Sequence, residues 1–294
     1  GLGDVYKRQA RAYASSLRSM QRYLGKKDFP FIKLSSRIIS DYQGKLLASG
    51  ICDNTIGFYL HNIKALFRKG CREMGLELPC PFRDISIKTE KTLKRSLDPV
   101  VIKTLSAIEL EKDSPLSLAR DIFMFSFYTR GMSFVDIALL KKRHVFPGEI
   151  CYRRHKTDQL MRVGINKEIS RILERYKNVP GEYIFPLFPA ERDPYAGYRS
   201  AYHRIRYSLG KISRVIGLEF PLRLHAARHS WATIAKVNGA SVHVIGECLG
   251  HTSEKTTRIY LKELDHSALD AVNNQVADFI LAAVSYTHLT LPTK

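Results

Sequence analysis

A histidine and an arginine three residues apart, His225 and Arg228, share one face of any helix that carries them. A Leu-Gly-His step at Leu249–His251 follows, and Tyr260 lies nine residues beyond it. Upstream, Lys156 stands beside Thr157 and Asp158, where a turn is expected. Arginine offers a planar fork that grips two phosphate oxygens at once. Histidine donates to another oxygen or moves a proton near neutral pH. A tyrosine hydroxyl can attack phosphorus and form an ester, although its free pKa of about 10 demands a base or positive surroundings. A lysine on a mobile turn can protonate a leaving oxygen. Together these groups describe attack of a tyrosine on a phosphodiester with neither metal nor nucleotide. The plainer readings are weaker. His225 and His229 are four apart, like a helical metal pair, but Ala226 and Ala227 occupy the place of the glutamate in an HExxH site, so no metal or other cofactor is expected. Tyrosine is common here, with 15 copies, and Tyr260 stands out only because of the upstream LGH.

Those residues need elements to position them. Leu17, Met20 and Leu24 have helical spacing that stops at Gly25. Ser35 or Ser36 can cap a second helix with Ile38, Ile39, Tyr42, Leu46 and Leu47 on one face. Asn54 can cap a third, with Ile56, Leu60, Ile63, Phe67, Cys71 and Met74 inward. Periodicity is lost over 79–96, where Pro79 and Pro81 precede a lysine-rich stretch. The expected organisation is a helical unit over 10–88, a linker over 89–96 and a larger unit over 97–284. In the larger unit Ser114-Pro115 starts a helix leading into the apolar run Ile122–Tyr128. EICYRRHKT and LMRVGI alternate on either side of Asp158 and predict a β-hairpin with Lys156 at its tip. Helical signals fill 195–216, 225–238, 241–248 and 255–264. Trp231 is expected to pack behind the His225–Arg228 pair. The fold class is therefore mainly α with a small hairpin or sheet.

Composition narrows the partner. The chain has 294 residues, 47 Lys+Arg against 28 Asp+Glu, and a net charge of +19. Apolar residues make up 45%, enough for a packed core. Five widely spaced cysteines form no CxxC pair, which fits a reduced, cytoplasmic protein. No apolar run is long enough to span a membrane. Residues 10–96 hold 17 basic and 7 acidic side chains, and residues 97–284 hold 27 and 20. A basic surplus in both halves points to a duplex contacted by both. The ends, GLGDVYKRQ and SYTHLTLPTK, fit no pattern around them, so 1–9 and 285–294 read as non-native tails.

The ordered set HxxR, LGH and Tyr resembles the tyrosine recombinases of the phage integrase family. KT at Lys156–Thr157, and a helical segment ahead of a linker, add to the resemblance, which covers essentially all of 10–284. The phrase RGMSFVDIALLKK is similar to integrases of Bacteroides-type mobile elements and invertible DNA regions. The resemblance implies a helical core DNA-binding domain followed by a catalytic domain. It implies site-specific integration, excision or inversion through a 3′-phosphotyrosyl intermediate. Tyr260 would be the nucleophile, Arg228 the phosphate grip and His225 the acid/base. Lys156 would protonate the 5′-oxygen, and His251 would bond a phosphate oxygen. Asp136 would support the site from behind. The family's first arginine falls at Ser133, which leaves Arg130 as the nearest substitute. The implied partners are double-stranded DNA bearing recombination sites, three further copies in a tetramer, and DNA-bending accessory proteins. A helix near 266–282, with Leu269, Val272, Val276, Phe279 and Ile280 on one stripe, would pack on a neighbouring copy. The rivals are a type IB topoisomerase and a DNA-binding protein with an impaired site.

Overall fold

The computed structural model describes residues 2–88, 90, 96–188, 194–251, 253–261, 274, 276 and 278, with backbone alone for 2–8, 194–196, 259 and 260. The chain divides into two compact units, Gly1–Leu93 and Lys94–Lys294.

The first unit holds α1 (Leu2–Leu24), α2 (Ser36–Ala48) and α3 (Asp53–Glu73). α1 begins inside the segment that the sequence sets aside as a tail. Its inward face is made of Ser16, Ser19 and Met20, while Leu17 is exposed. Polar bonds choose that face: Tyr42 Oη donates to Ser19 Oγ at 2.8 Å, and Asn62 Nδ2 to Ser16 Oγ at 3.0 Å. Ser35 caps α2 by accepting the Ile38 N–H. Ile39, Tyr42, Leu46, Ile56, Leu60, Ile63 and Phe67 form the core, with Phe82 added from the segment after α3. Each such burial is worth about 1.5–3 kcal/mol of transfer free energy. Leu47, expected on the same face as Tyr42 and Leu46, is exposed. Two further expectations are corrected. Asn54 does not cap α3, whose N-cap is Cys52; its amide instead bonds both backbone polar groups of Glu90. Met74 is exposed because α3 ends at Glu73 and leaves it as the C-cap.

The second unit begins with α4 (Pro99–Ala107), α5 (Pro115–Tyr128) and α6 (Phe134–Ala138). A three-stranded sheet follows: β1 (Val145–Phe146), β2 (Glu149–Arg153) and β3 (Leu160–Gly164). Then come α7 (Lys167–Arg175), α8 (Pro194–Val215), α9 (Leu224–Val237), α10 (Val242–Leu249) and α11 (Glu254–Leu261). Ser114 accepts the Ser117 N–H and Pro115 opens α5, as its start signal predicts. α5 packs against α7, α8 and α9. That encirclement is why its run Ile122–Phe125 is apolar all round instead of striped. One acid sits in the same helix. Asp121 accepts from Arg120 Nε at 2.6 Å, Arg175 Nη1 at 2.7 Å and Tyr176 Oη at 2.9 Å.

The sheet runs β1-β2-β3, antiparallel throughout. Ile150 pairs Val163 and Tyr152 pairs Met161, and all four are buried. The intervening Cys151 and Arg162 turn to the other face, so alternation sets the register. Helices α9, α10 and α11 close on Ala232, Ile245, Leu249 and Leu261, with Trp231 against that cluster. Of the stripe expected over 266–282, Val276 alone is described, and it is exposed. Leu269, Val272, Phe279 and Ile280, and the tail 285–294, lie outside the described residues.

Candidate active site

Arg228 is the centre. It sits on α9 with 7% of its surface exposed, and a guanidinium this buried requires hydrogen-bond acceptors. Its Nη1 donates to the Gly131 carbonyl at 2.9 Å, and its Nη2 donates to the Leu249 carbonyl. Those acceptors come from the turn after α5 and the end of α10, so three elements fix one side chain. Gly131 has φ +76°, and a Cβ there would stand 2.5 Å from Arg228 Cγ and 2.8 Å from Arg228 Cα. Only glycine permits both that backbone and that approach.

Lys156 lies exposed in the turn between β2 and β3, where the hairpin pattern places it. The turn is closed by Arg154 N–H to Gln159 O at 2.9 Å, and Asp158 takes a left-handed φ of 56°. Asp136 holds the hairpin from behind. Its carboxylate accepts the His155 N–H at 2.8 Å and the Ser133 hydroxyl at 2.6 Å, itself buried at 5% exposure. Ser133, where the resemblance puts the family's first arginine, serves as N-cap residue of α6 and donor to Asp136. On the other side, Arg154 Nη1 donates to the Gly250 carbonyl.

His225 opens α9 with an exposed edge, and its ring meets that of His229 at 4.5 Å, nearly perpendicular. Crowding by protein lowers its pKa, with Arg228 and Lys156 adding to the effect. His251 follows Gly250, which ends α10 in the left-handed conformation at φ 62°. Its Nδ1 lies 2.9 Å from Thr257 Oγ1 on α11. Burial first, then Arg228, Arg154 and Lys156, lowers its pKa to about 4. Both imidazoles are thus neutral at pH 7, able to accept a proton or to donate one N–H. Tyr152, inside the sheet, feels Asp136, Arg154, Arg228 and Arg130. Burial and then Asp136 push its hydroxyl well above the usual tyrosine range, so it is a poor nucleophile. The backbone of Tyr260 lies in the last turn of α11, three residues after Thr257.

Arg130 is placed differently. It adopts a left-handed φ of 60°, which costs a non-glycine residue roughly 1–2 kcal/mol. Its guanidinium reaches toward the Arg162 carbonyl at 3.5 Å and borders a 510 Å³ cavity between β3 and α10. His243, Glu247 and Cys248 line the same cavity.

The structure thus places both His225 and His251 within electrostatic reach of Arg228 and Lys156, with Asp136 bonded to the backbone of the hairpin at His155. Sequence reasoning missed Arg154, Gly131 and Thr257. The pattern Arg154-His155-Lys156 at a strand end was the available signal for the first; Gly131 acts through Arg228, 97 residues away, and Thr257, six residues after His251, meets that ring only because the chain turns between α10 and α11. Among the described residues no group of three His, Cys, Asp or Glu side chains could hold a metal ion. Among them, too, no helix is long and apolar enough to cross a membrane.

Comparisons with known proteins show the family and the fold. The profile described as "Phage integrase family" matches residues 96–266, and one described as "Phage integrase SAM-like domain" matches 4–82. A tyrosine recombinase XerC of Shewanella oneidensis is 26% identical over 226 residues, 74% of this chain and 70% of the relative. A tyrosine recombinase XerD of Pseudomonas putida is 36% identical over 94 residues, 30% of each chain. Among solved structures, XerH bound to a palindromic difH substrate superposes with a TM-score of 0.67 at 17% identity, covering 89% of this chain and 78% of its own. Lambda integrase (75–356), a dimer bound to a COC′ core site, gives 0.65 at 18%, with 86% and 89% covered. The Tn1549 transposon integrase with transposon right end DNA gives 0.64 at 14%, with 92% and 99% covered.

Proposed function

This chain belongs to the phage integrase family, and from that premise we propose that its buried Arg228 binds the scissile phosphate of a DNA recombination site. It is a tyrosine recombinase, a site-specific DNA strand transferase. In the reaction, the Tyr260 oxygen bonds phosphorus and the bond from phosphorus to the 5′-oxygen breaks. His225 accepts the tyrosine proton, and Lys156 delivers a proton to the departing 5′-oxygen. The product is a 3′-phosphotyrosyl ester and a free 5′-hydroxyl. Attack by the 5′-hydroxyl of a second strand reverses each transfer, so the bond energy is conserved and no nucleotide is consumed. Arg228 and His251 stabilise the charge that develops on the equatorial phosphate oxygens. Arg130 adds positive potential at the edge of the site.

The observation that carries this reading is the held guanidinium of Arg228. Two carbonyls from separate elements fix it in place, and its charge and that of Lys156 bear on both histidines. A preorganised cation of this kind needs no rearrangement as charge builds on phosphorus.

The helical unit over 10–88 is proposed to contact core DNA, with 89–96 as linker and 97–284 as the cutting domain. Four copies on two sites, helped by DNA-bending proteins, form the proposed assembly. The DNA part is supported by neighbours whose structures hold recombination-site DNA. The test is a nicked suicide duplex built from the DNA ends flanking the coding sequence. Wild-type protein is expected to form a covalent complex stable to detergent, and Tyr260→Phe to form none. A covalent complex with Tyr260→Phe, or none with the wild type, contradicts the reading.

A further inference from the structure

We propose that Arg154 supplies a second guanidinium to the scissile phosphate, replacing the arginine that the family carries where this chain has Ser133. The proposal rests on the reading of Arg228 and His251 as phosphate-binding groups.

The geometry starts with one turn of backbone. Arg228 Nη2 donates to the carbonyl of Leu249, and Arg154 Nη1 donates to the carbonyl of Gly250. These are consecutive carbonyls at the end of α10, so two guanidinium groups are drawn to the same turn. The next residue is His251, and both cations lower its pKa. Gly250 makes room for this. A Cβ at that position would stand 2.9 Å from Met161 Sδ and 3.3 Å from Arg154 Nη1.

Two positive charges at such a place repel each other, and burial raises the cost. Asp136 adds one negative charge nearby, while its two oxygens bond Ser133 and His155. An oxyanion held between the two forks relieves the repulsion and takes up donors that one carbonyl cannot use, since a guanidinium carries five. The hairpin brings Arg154 there with Lys156 two residues on, so phosphate grip and leaving-group acid arrive on one element. Arg130 is the weaker candidate for the grip. Its guanidinium turns to Arg162 and the cavity lined by His243 and Glu247, on the side of β3. Ser133, short and bonded to Asp136, anchors the hairpin that carries the substitute.

The test uses inorganic phosphate, which needs no knowledge of the DNA site. Phosphate is titrated into the whole chain at constant ionic strength, and the His251 ring signals are followed by NMR. Wild type and Tyr260→Phe are expected to show a saturable shift. Arg154→Ala and Arg154→Gln are expected to bind roughly 10- to 100-fold more weakly, the loss of a charged hydrogen-bond partner. The glutamine keeps an N–H for the Gly250 carbonyl and decides the matter should the alanine variant not fold. Arg171→Ala, an exposed cation on α7, is expected to bind like the wild type. Wild-type affinity in the Arg154 variants, or no saturable shift at His251 in the wild type, overturns the proposal. Saturable binding together with no covalent complex on DNA would instead retire the tyrosine chemistry and leave the phosphate grip standing.

Discussion

A single hydrogen on Gly131 decides where the central arginine sits. Replacing it with alanine puts a Cβ within 2.5 Å of Arg228 Cγ and forces a side chain onto a φ of +76°. Gly131→Ala is expected to cost well over ~1 kcal/mol of stability and to lower covalent-complex formation more than 10-fold, about the effect of losing a fixed phosphate donor. Denaturant unfolding and the suicide duplex measure the two effects separately. His251 makes a second prediction. Its folded pKa of about 4 lies below its ordinary 6.5, so between these values the unfolded chain binds the extra proton. That contribution to stability is full above pH 6.5 and is lost as pH falls toward 4. The melting temperature of the wild type is expected to drop more steeply across that window than that of His251→Gln. An equal slope contradicts the assignment. At this scale the sequence was legible where chemistry is local: His225 with Arg228 by helical spacing, and His251 by its Leu-Gly step. Arg154 was not, because the bond that reveals its role joins it to a carbonyl 96 residues away.

Elements were readable where a cap or an alternation marks them. Ser35 and Ser114 start helices where their types predict, and the hairpin forms over the two alternating runs around Asp158. Leu17 and Asn54 misled for one reason: a tertiary bond outweighed a local preference. Ser16 and Ser19, bonded to Asn62 and Tyr42, took the inner face of α1, and Asn54 found Glu90 instead of a helix end. The Asp121 network shows the same effect inside α5. It ties α5 to the end of α7 through Arg175 and to Tyr176 beyond it, and it holds Arg120, a side chain with 12% exposure. Asp121→Ala strands those partners and is expected to cost about 3–5 kcal/mol. The urea midpoint should fall with the slope of the transition unchanged. A change under ~1 kcal/mol would show the network to be solvated and replaceable.

At the scale of the molecule, the charge of +19 has two uses. Many of the exposed lysines and arginines suit sequence-independent contact with phosphates, a term that weakens steeply with salt. In the proposed reaction the chemistry falls to a few cations: Arg228, bonded to two carbonyls, Arg154, bonded to a third, and Lys156 at the hairpin tip. The class of fold was legible because helical periodicity and one hairpin cover most of the chain. The stripe over 266–282 could not be followed, since all but Val276 of its apolar residues lie outside the described residues. The central claim is that Tyr260 attacks DNA phosphorus. The trapped complex on a suicide duplex can be digested with nuclease and protease, and its peptides weighed. A nucleotide added through phosphate to the peptide containing Tyr260, linked at the 3′ side, is the expected product. The same mass on a different tyrosine, such as Tyr152, or no modified peptide at all, would contradict that claim.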